Sequence, residues 1–290
     1  MTRVAILTPD PADSSYAGQW PRVLQRAIDG LAEAGLEAVG TSWTDHISGA
    51  EGLRGFDLVL PIVAWGYHRD HRRWLQACET WQAANVAMAN PASVLAWNSD
   101  KAYLRRLSER GIAIPRTIWT ERVSADQVAA AFDSFDVEQV IVKPTVSGGA
   151  WRTLRLTRGQ PLVDAPTGAA MIQPYLSSIE TKGETSLLFF GGRLSHAVNK
   201  RPVPGEFRIQ VQFGGLYDTV AAPSGALALA EQVLAAIEEP LLYARIDMAR
   251  DRNDNWVLME AELIEPDFYL ANDPARGAGF AAAVAARLGR

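Results

Sequence analysis

The stretch "IVKPTVSGGA", residues 141–150, runs an apolar segment into a lysine and a proline and then releases it into small residues. The apolar segment reads as a buried strand, which puts Lys143 at the mouth of a flexible loop. Glycines let backbone N–H groups come close to phosphate oxygens, and an ammonium beside them adds positive charge. Lys143 with Ser147, Gly148, Gly149 and Ala150 is therefore a candidate phosphate cradle. Taken alone the pattern is weak, because Gly-Gly loops are common and a strand-end lysine usually snorkels to water. It is not a Walker loop, since no lysine followed by Ser or Thr comes after the glycines. It is not a dinucleotide fingerprint either, which needs three glycines opening a helix.

On either side of this loop the texture of the chain differs. Residues 1–97 alternate strand and helix: "RVAILTP", a helix over 19–34 stopped by Gly35, "LEAVGTSW", "DLVLPIV", a helix with Trp74 and Trp81 on one side, and "VAMAN" as a further strand. That alternation predicts a small parallel α/β domain. A helix over 98–111 follows, capped by Asn98 or Ser99 and ended by Gly111, with Lys101 on its first turn. Then come short strands: "PRTIW", "QVIVKP", "RTLRL", "AAMIQPY", "TSLLFFGG", "LSHAVNK" and "FRIQVQF". Helices over 124–132 and 224–238 interrupt and follow them, and a strand pair and a helical tail (280–288) close the chain. This half reads as α+β with antiparallel sheets, divided into 98–175 and 176–290.

Bulk properties remove several classes. The formal charge is -5 and charged residues make up 21% of the chain, which argues against a nucleic-acid or membrane-surface binder. No apolar run approaches the roughly 18 residues needed to span a bilayer. The single cysteine, Cys78, excludes an intrachain disulfide framework, and "MTRVAILTPD" reads as a first core strand, not an export signal. Together these predict a reducing cytoplasmic setting. Cys78 itself, on an amphipathic helix, reads as core.

The last strand pair lies in "LYARIDMARDRNDNWVLMEAELIEP". A hairpin turning at Asn253-Asp254 sets Asp247 opposite Glu260 and Arg245 opposite Glu262, on one face. Facing carboxylates repel, and a divalent cation removes that cost. Hard oxygen ligands beside a polyphosphate favour Mg²⁺. The alternative is a solvated face with Arg245 as the acids' partner.

The ordered set "NSDK", "VIVKPTVSGGA", "MIQPYLSSIETKGETSLLFF", "GEFRIQVQFGG", "ARIDMARD" and "LMEAELIEP" resembles the ATP-grasp enzymes, over residues ~95–290. Among these the chain is most similar to the glutathione-synthetase and ribosomal-protein-modification branch, and "EAELIEP" resembles the O-ureido-serine cyclo-ligases. The resemblance implies an ATP-grasp fold behind an N-terminal parallel α/β domain. It implies that Lys101 and Lys143 contact ATP phosphates under the 147–150 loop. Gln173, Tyr175 and Leu176 border the adenine, the latter two through backbone, and Glu180 reaches the ribose. It further implies that Asp247 and Glu260 hold Mg²⁺ and that Arg208 neutralises the transferred phosphate. Many members carry Asn where this chain has Glu262, which leaves Glu262 either a metal ligand or the partner of Arg245.

The activity so implied is ATP-dependent C–N ligation through an acyl phosphate on a small amino-acid-like substrate. The rivals are cyclisation within one substrate, phosphate transfer to a hydroxyl, and a non-catalytic nucleotide-binding protein. Substrate contacts are expected from Asp10 and Ser14 or Ser15, which equally suit a turn, from Trp65, Tyr67 and His68, and from Lys200 and Arg201. His68 and His71, three apart, read as a helix start and not as a metal pair. Family architecture implies a homodimer or tetramer.

Overall fold

The computed structural model describes residues 2–290. Strand β1 (Arg3–Thr8) sinks Val4 to Leu7 completely and forms the centre of a parallel sheet between β2 (Glu37–Ser42) and β3 (Leu58–Leu60). Helix α1 (Trp20–Glu33) packs over it and stops at Gly35, whose φ of 75° continues no right-handed helix. Helix α2 (His71–Ala83) buries Trp74 and Trp81, and the Asp70 side chain accepts from the Arg73 N–H at its start. The "VAMAN" segment forms no strand. It makes one bridge, Val59 with Met88, because Asn90 leaves the sheet to bind another part of the chain.

The helix expected over 98–111 is two short ones, α3 (Ala92–Asn98) and α4 (Tyr103–Glu109). Lys101 therefore lies in the turn between them, its N–H bonded to the Thr145 carbonyl at 2.8 Å. Asn98 ends a helix instead of capping one, and its amide has a different task, described below.

The second sheet runs β4 (Ile118–Thr120), β7 (Ala170–Pro174), β5 (Gln139–Pro144), β6 (Leu154–Thr157), all antiparallel. Helix α5 (Ala125–Phe135) starts with a capping box made by Ser124 and Gln127. It lays Val128, Ala131, Phe132 and Phe135 against Val140, Val142 and Ile172.

After the short α6 (Ser178–Thr181) comes the third sheet. Its strands are β8 (Glu184–Phe190), β9 (Arg193–Arg201), β10 (Leu216–Val220), β11 (Tyr243–Arg250) and β12 (Trp256–Glu262), in the order β10-β9-β8-β11-β12. Helix α7 (Ser224–Ala236) and α4 pack on one side, with Leu104, Leu107, Leu229 and Val233 meeting Leu187, Ile246 and Leu258. Helix α8 (Ala278–Arg287) returns to the parallel sheet, where Phe280 and Val284 join Ile6 and Leu31. The "FRIQVQF" run is not a strand. The Glu206 carboxylate accepts the N–H groups of Phe207 and Arg208 and curls the chain there, and Val211 stays 66% exposed.

Strand β12 is an edge, and an edge has unpaired backbone groups. Side chains from the N-terminal half fill that place. Asn98 donates to the Ala261 carbonyl (2.9 Å) and accepts from the Leu263 N–H (3.0 Å). The Tyr103 hydroxyl exchanges bonds with the same Ala261, at 3.1 and 2.8 Å. Asn90 likewise donates to the carbonyls of Tyr243 and Leu263 and accepts from the Leu242 N–H. Among the described residues no helix is long and apolar enough to cross a membrane.

Replacing Asn98 by Ala orphans two buried backbone groups. Urea unfolding should show a loss of about 2–4 kcal/mol. A midpoint unchanged from the parent would refute the role of Asn98 as a substitute strand neighbour.

Candidate functional site

The β11–β12 ribbon carries the acids. Asp247 pairs with Glu260 and Arg245 with Glu262, as the sequence predicted, but by another route. From Met248 to Arg250 the register is one residue different, with Arg250 opposite Trp256, so the connection spans residues 251–255. The Asp251 carboxylate organises it by accepting the N–H groups of Asn253 and Asn255. A bulge between Asp247 and Met248 in the pairing then inserts Met259 and restores the expected register. The longer turn and the bulge cancel.

Every acid of this face meets a cation. Both Asp247 oxygens are occupied: the Ser186 hydroxyl donates at 2.5 Å, Lys200 Nζ at 3.2 Å, and Arg245 donates through Nε and Nη2 at 3.0–3.2 Å. Lys200 also pairs with Glu184 at 2.7 Å, and Arg245 Nη2 also bonds Glu262. Burial opposes the Asp247 charge, yet Arg245 and Lys200 outweigh it and hold the carboxyl down at about 2. Burial opposes the Lys200 charge too, but Asp247 and Glu184 hold it well above the ordinary lysine value. Burial, reinforced by Glu260 and Asp247, pushes Glu262 up against the pull of Arg245.

The glycine loop and both lysines reach the same place. Lys101 Nζ bonds the Ser147 carbonyl at 2.9 Å and pairs with Glu260 at 3.0 Å. Lys143 has no ion pair among the described residues, and burial lowers its pKa. His68 covers the loop from the parallel domain: a Cβ on Gly148 would lie 3.1 Å from His68 Nδ1, and the imidazole sits 5.9 Å from the Trp151 ring. Burial, with Arg69 and Lys101 nearby, lowers His68 to about 4. A side chain there would have to push that ring back by a few tenths of an ångström.

Other expected residues fall at the margin. Tyr175 donates to Glu180 at 2.7 Å, Arg155 pairs with Glu180 at 3.0 Å, and the Arg155 guanidinium lies over both the Tyr175 and Phe207 rings. The Tyr175 phenol is pushed up to about 12 by burial and by Glu180. Its N–H bonds the Gln139 carbonyl, so only its C=O and the Leu176 N–H remain without a backbone bond. The Gln173 amide donates to Thr117.

Several of the residues singled out in the sequence have partners of their own. Lys200 is buried inside the acid network, paired with Glu184 and Asp247. Arg201, the next residue on β9, points to the opposite face and pairs with exposed Asp218. Arg208 is bound to Glu206 and stacked 3.6 Å over Phe213, in a loop whose Gln212 amide would lie 3.6 Å from a Cβ on Gly149. Asp10 accepts the Ala12 N–H in a turn, and Ser14 is exposed. His71 bonds Ser99, so it forms no pair with His68. Cys78 is buried and its thiol is pushed up by that burial.

Three residues escaped the sequence reading. Glu184 and Ser186 face inward from a strand buried along its whole length, and the signal was a lone acid at the start of an apolar run. Glu265, half-buried just beyond β12, lies outside the alternation that marked Glu260 and Glu262. A cavity of about 420 Å³ between α2, α3 and α8, lined by Gln82, Ser93 and Arg287 among others, shares no residue with this cleft.

A parallel α/β domain followed by two antiparallel sheets, with a glycine loop over lysines and an acidic ribbon, defines the ATP-grasp fold. The chain has that fold in common with solved ATP-grasp ligases. The family model for the N-terminal domain of D-cycloserine synthetase DcsG matches residues 4–90. The cycloserine biosynthesis protein DcsG of Streptomyces lavendulae is 27% identical over 282 residues, 90% of this chain and 92% of that protein. The crystal structure of D-cycloserine synthetase DcsG superposes with a TM-score of 0.80 at 24% identity, over 99% of both chains. D-alanine–D-alanine ligase from Bacillus anthracis gives 0.74 at 14% identity, over 100% of this chain and 97% of that one.

Replacing Asp247 by Asn leaves Lys200 with Glu184 alone and Arg245 with Glu262 alone, a loss of about 3 kcal/mol. Because the folded-state value of Asp247 lies below the ordinary 3.8, its stabilisation is present above that value and is lost as pH falls through about 2. Calorimetric melts from pH 5 to 2 should therefore fall less steeply in the Asn variant than in the parent.

Proposed function

We propose that the protein joins a carboxylate to an amine at the expense of ATP. The carboxylate oxygen attacks the γ-phosphorus, and the bridging P–O bond breaks with its electron pair leaving on ADP. The amine nitrogen then attacks the acyl carbon, phosphate departs with the C–O pair, and the nitrogen loses a proton. The observation that carries this reading is the convergence of Lys101, the Ser147 loop and Glu260 within hydrogen-bonding distance, beside the unpaired Lys143.

Lys143 meets the phosphates, and its unpaired charge is what a polyanion needs. Lys101 exchanges Glu260 for phosphate oxygens or bridges the two. The 147–150 loop closes over them under His68 and Trp151, which excludes water from an intermediate that water would destroy. Tyr175, Leu176 and Glu180 border the base and sugar.

Among the described residues no group of three or more acids, histidines or cysteines could by itself hold a metal ion, so an ion here needs the nucleotide to complete its shell. The donor chemistry fits Mg²⁺, which takes one or two carboxylates and otherwise phosphate and water. Glu260 and Glu262, side chains 31% and 26% exposed with one cation partner each, suit it better than saturated Asp247. Bound there, the ion would neutralise polyphosphate charge.

A second reading is favoured by the match of the N-terminal domain to the DcsG model. In it, nucleophile and carboxylate belong to one small amino-acid-like molecule, and ATP drives ring closure.

Incubation with ATP, Mg²⁺ and a panel of amino acids and small peptides should release ADP and phosphate, and hydroxylamine should trap a hydroxamate. Formation of AMP and pyrophosphate would overturn the mechanism. Lys143→Met should lower kcat/KM by about 10²-fold without lowering the melting temperature, since the lysine has no ion pair to lose. A need for a second substrate separates ligation from cyclisation.

A further inference from the structure

The bulge in β12 decides which way two acids face. Asp247 stands opposite Glu260 only because Met259 is skipped between Leu258 and Glu260. Continued without that skip, the pairing of Met248 with Leu258 would set Asp247 opposite Met259 and Ile246 opposite Glu260. Side chains alternate along a strand, so Glu260 would then leave the charged face for the core side that Ile246 occupies. Backbone pairing with β11 permits either register. Bonds on the outer edge of β12 favour one of them.

Two other segments bracket the bulge on that edge. Before it, the Leu258 N–H bonds the Ala113 carbonyl at 2.8 Å. After it, the Tyr103 hydroxyl donates to the Ala261 carbonyl at 3.1 Å and accepts the Ala261 N–H at 2.8 Å. Ala261 lies between Glu260 and Glu262 with its own side chain in the core, so a shift of its peptide groups moves both carboxylates. Asn98 reaches the same carbonyl. The Ala261 N–H has Tyr103 as its side-chain partner.

The hydroxyl is itself well fixed. The Tyr103 ring is buried and stands edge-on to Trp97, 5.7 Å between centroids, and Trp97 Nε1 donates to Glu239 at 3.1 Å. Two residues earlier, Lys101 bonds the Ser147 carbonyl at 2.9 Å and pairs with Glu260 at 3.0 Å. One short stretch of chain thus carries the lysine that meets Glu260 and the hydroxyl that sets where Glu260 stands.

We propose that Tyr103 is a positioning residue for the metal. By holding Ala261 just past the bulge, its hydroxyl keeps Glu260 and Glu262 side by side at the cleft, where the ion accompanying ATP would use them. Tyr103 acts through the ribbon, from the buried side. This rests on the ligase reading above and deepens it, by naming a residue behind the cleft on which the response to Mg²⁺ depends.

Isothermal titration of the full-length protein with AMPPNP, repeated over a series of Mg²⁺ concentrations, tests it. Tyr103→Phe keeps the ring and removes only the hydroxyl. The variant should need at least fivefold more Mg²⁺ to reach half of the gain in AMPPNP affinity, while its affinity without Mg²⁺ stays within twofold of the parent. Val284→Ala, which opens a cavity where α8 meets the parallel sheet, controls for lost stability: it should lower the melting temperature and leave the Mg²⁺ midpoint unchanged. A Phe variant with the parent's Mg²⁺ midpoint, an equal shift in Val284→Ala, or a parent affinity that gains nothing from Mg²⁺ would overturn the assignment while leaving nucleotide binding intact. A parent protein that binds no AMPPNP would overturn the ligase reading, and the assignment with it.

Discussion

An aspartate buried in the middle of a sheet needs charge brought to it. Asp247 takes that charge from Arg245, two residues away on its own strand, and from Lys200, two strands away on β9. Between them, β8 contributes the Ser186 hydroxyl and Glu184. Three strands are thus tied through side chains as well as backbone. Each member needs the others: with its partners present Asp247 ionises readily, and without them it would be an unpaired charge in an apolar interior. The network also sets what is left for chemistry, because a saturated Asp247 has no lone pair to spare while Glu260 and Glu262 keep part of their surface toward the cleft.

The ribbon with these acids is in turn held from its outer edge. Asn90, Asn98 and Tyr103 bond backbone groups of residues 242, 243, 261 and 263 as a neighbouring strand would. The connection between the parallel domain and the sheets therefore doubles as the clamp that sets the height of the acids. Lys101 sits three residues past Asn98, so the clamp also sets that lysine against Glu260. Fold and site share one set of bonds here, and displacing the 90–103 segment moves both.

The glycine loop is positioned from the other side. A Cβ at Gly148 would crowd the His68 ring at 3.1 Å, so the small residue there serves contact with the parallel domain. That ring keeps a neutral form because burial and two cations disfavour its charge, which keeps another positive group off a loop already close to Lys101.

Local signals in the sequence were enough for the strands of all three sheets except β10, for most helices, and for the order of motifs that marks the superfamily. Alternation in "ARIDMARD" and "LMEAELIEP" put Arg245, Asp247, Glu260 and Glu262 on one face, and the symmetric count about residues 253–254 paired them correctly even though the turn is wider and a bulge compensates. Alternation says which face a side chain takes, not what stands beside it. That Lys200 is spent on Asp247, that Arg201 looks away and that Asn98 serves β12 instead of a helix were decided by contacts between segments far apart in the chain. Those contacts arise only when burial forces each charge and each orphaned backbone group to find a partner, and that requirement has no period in the sequence from which it could be read.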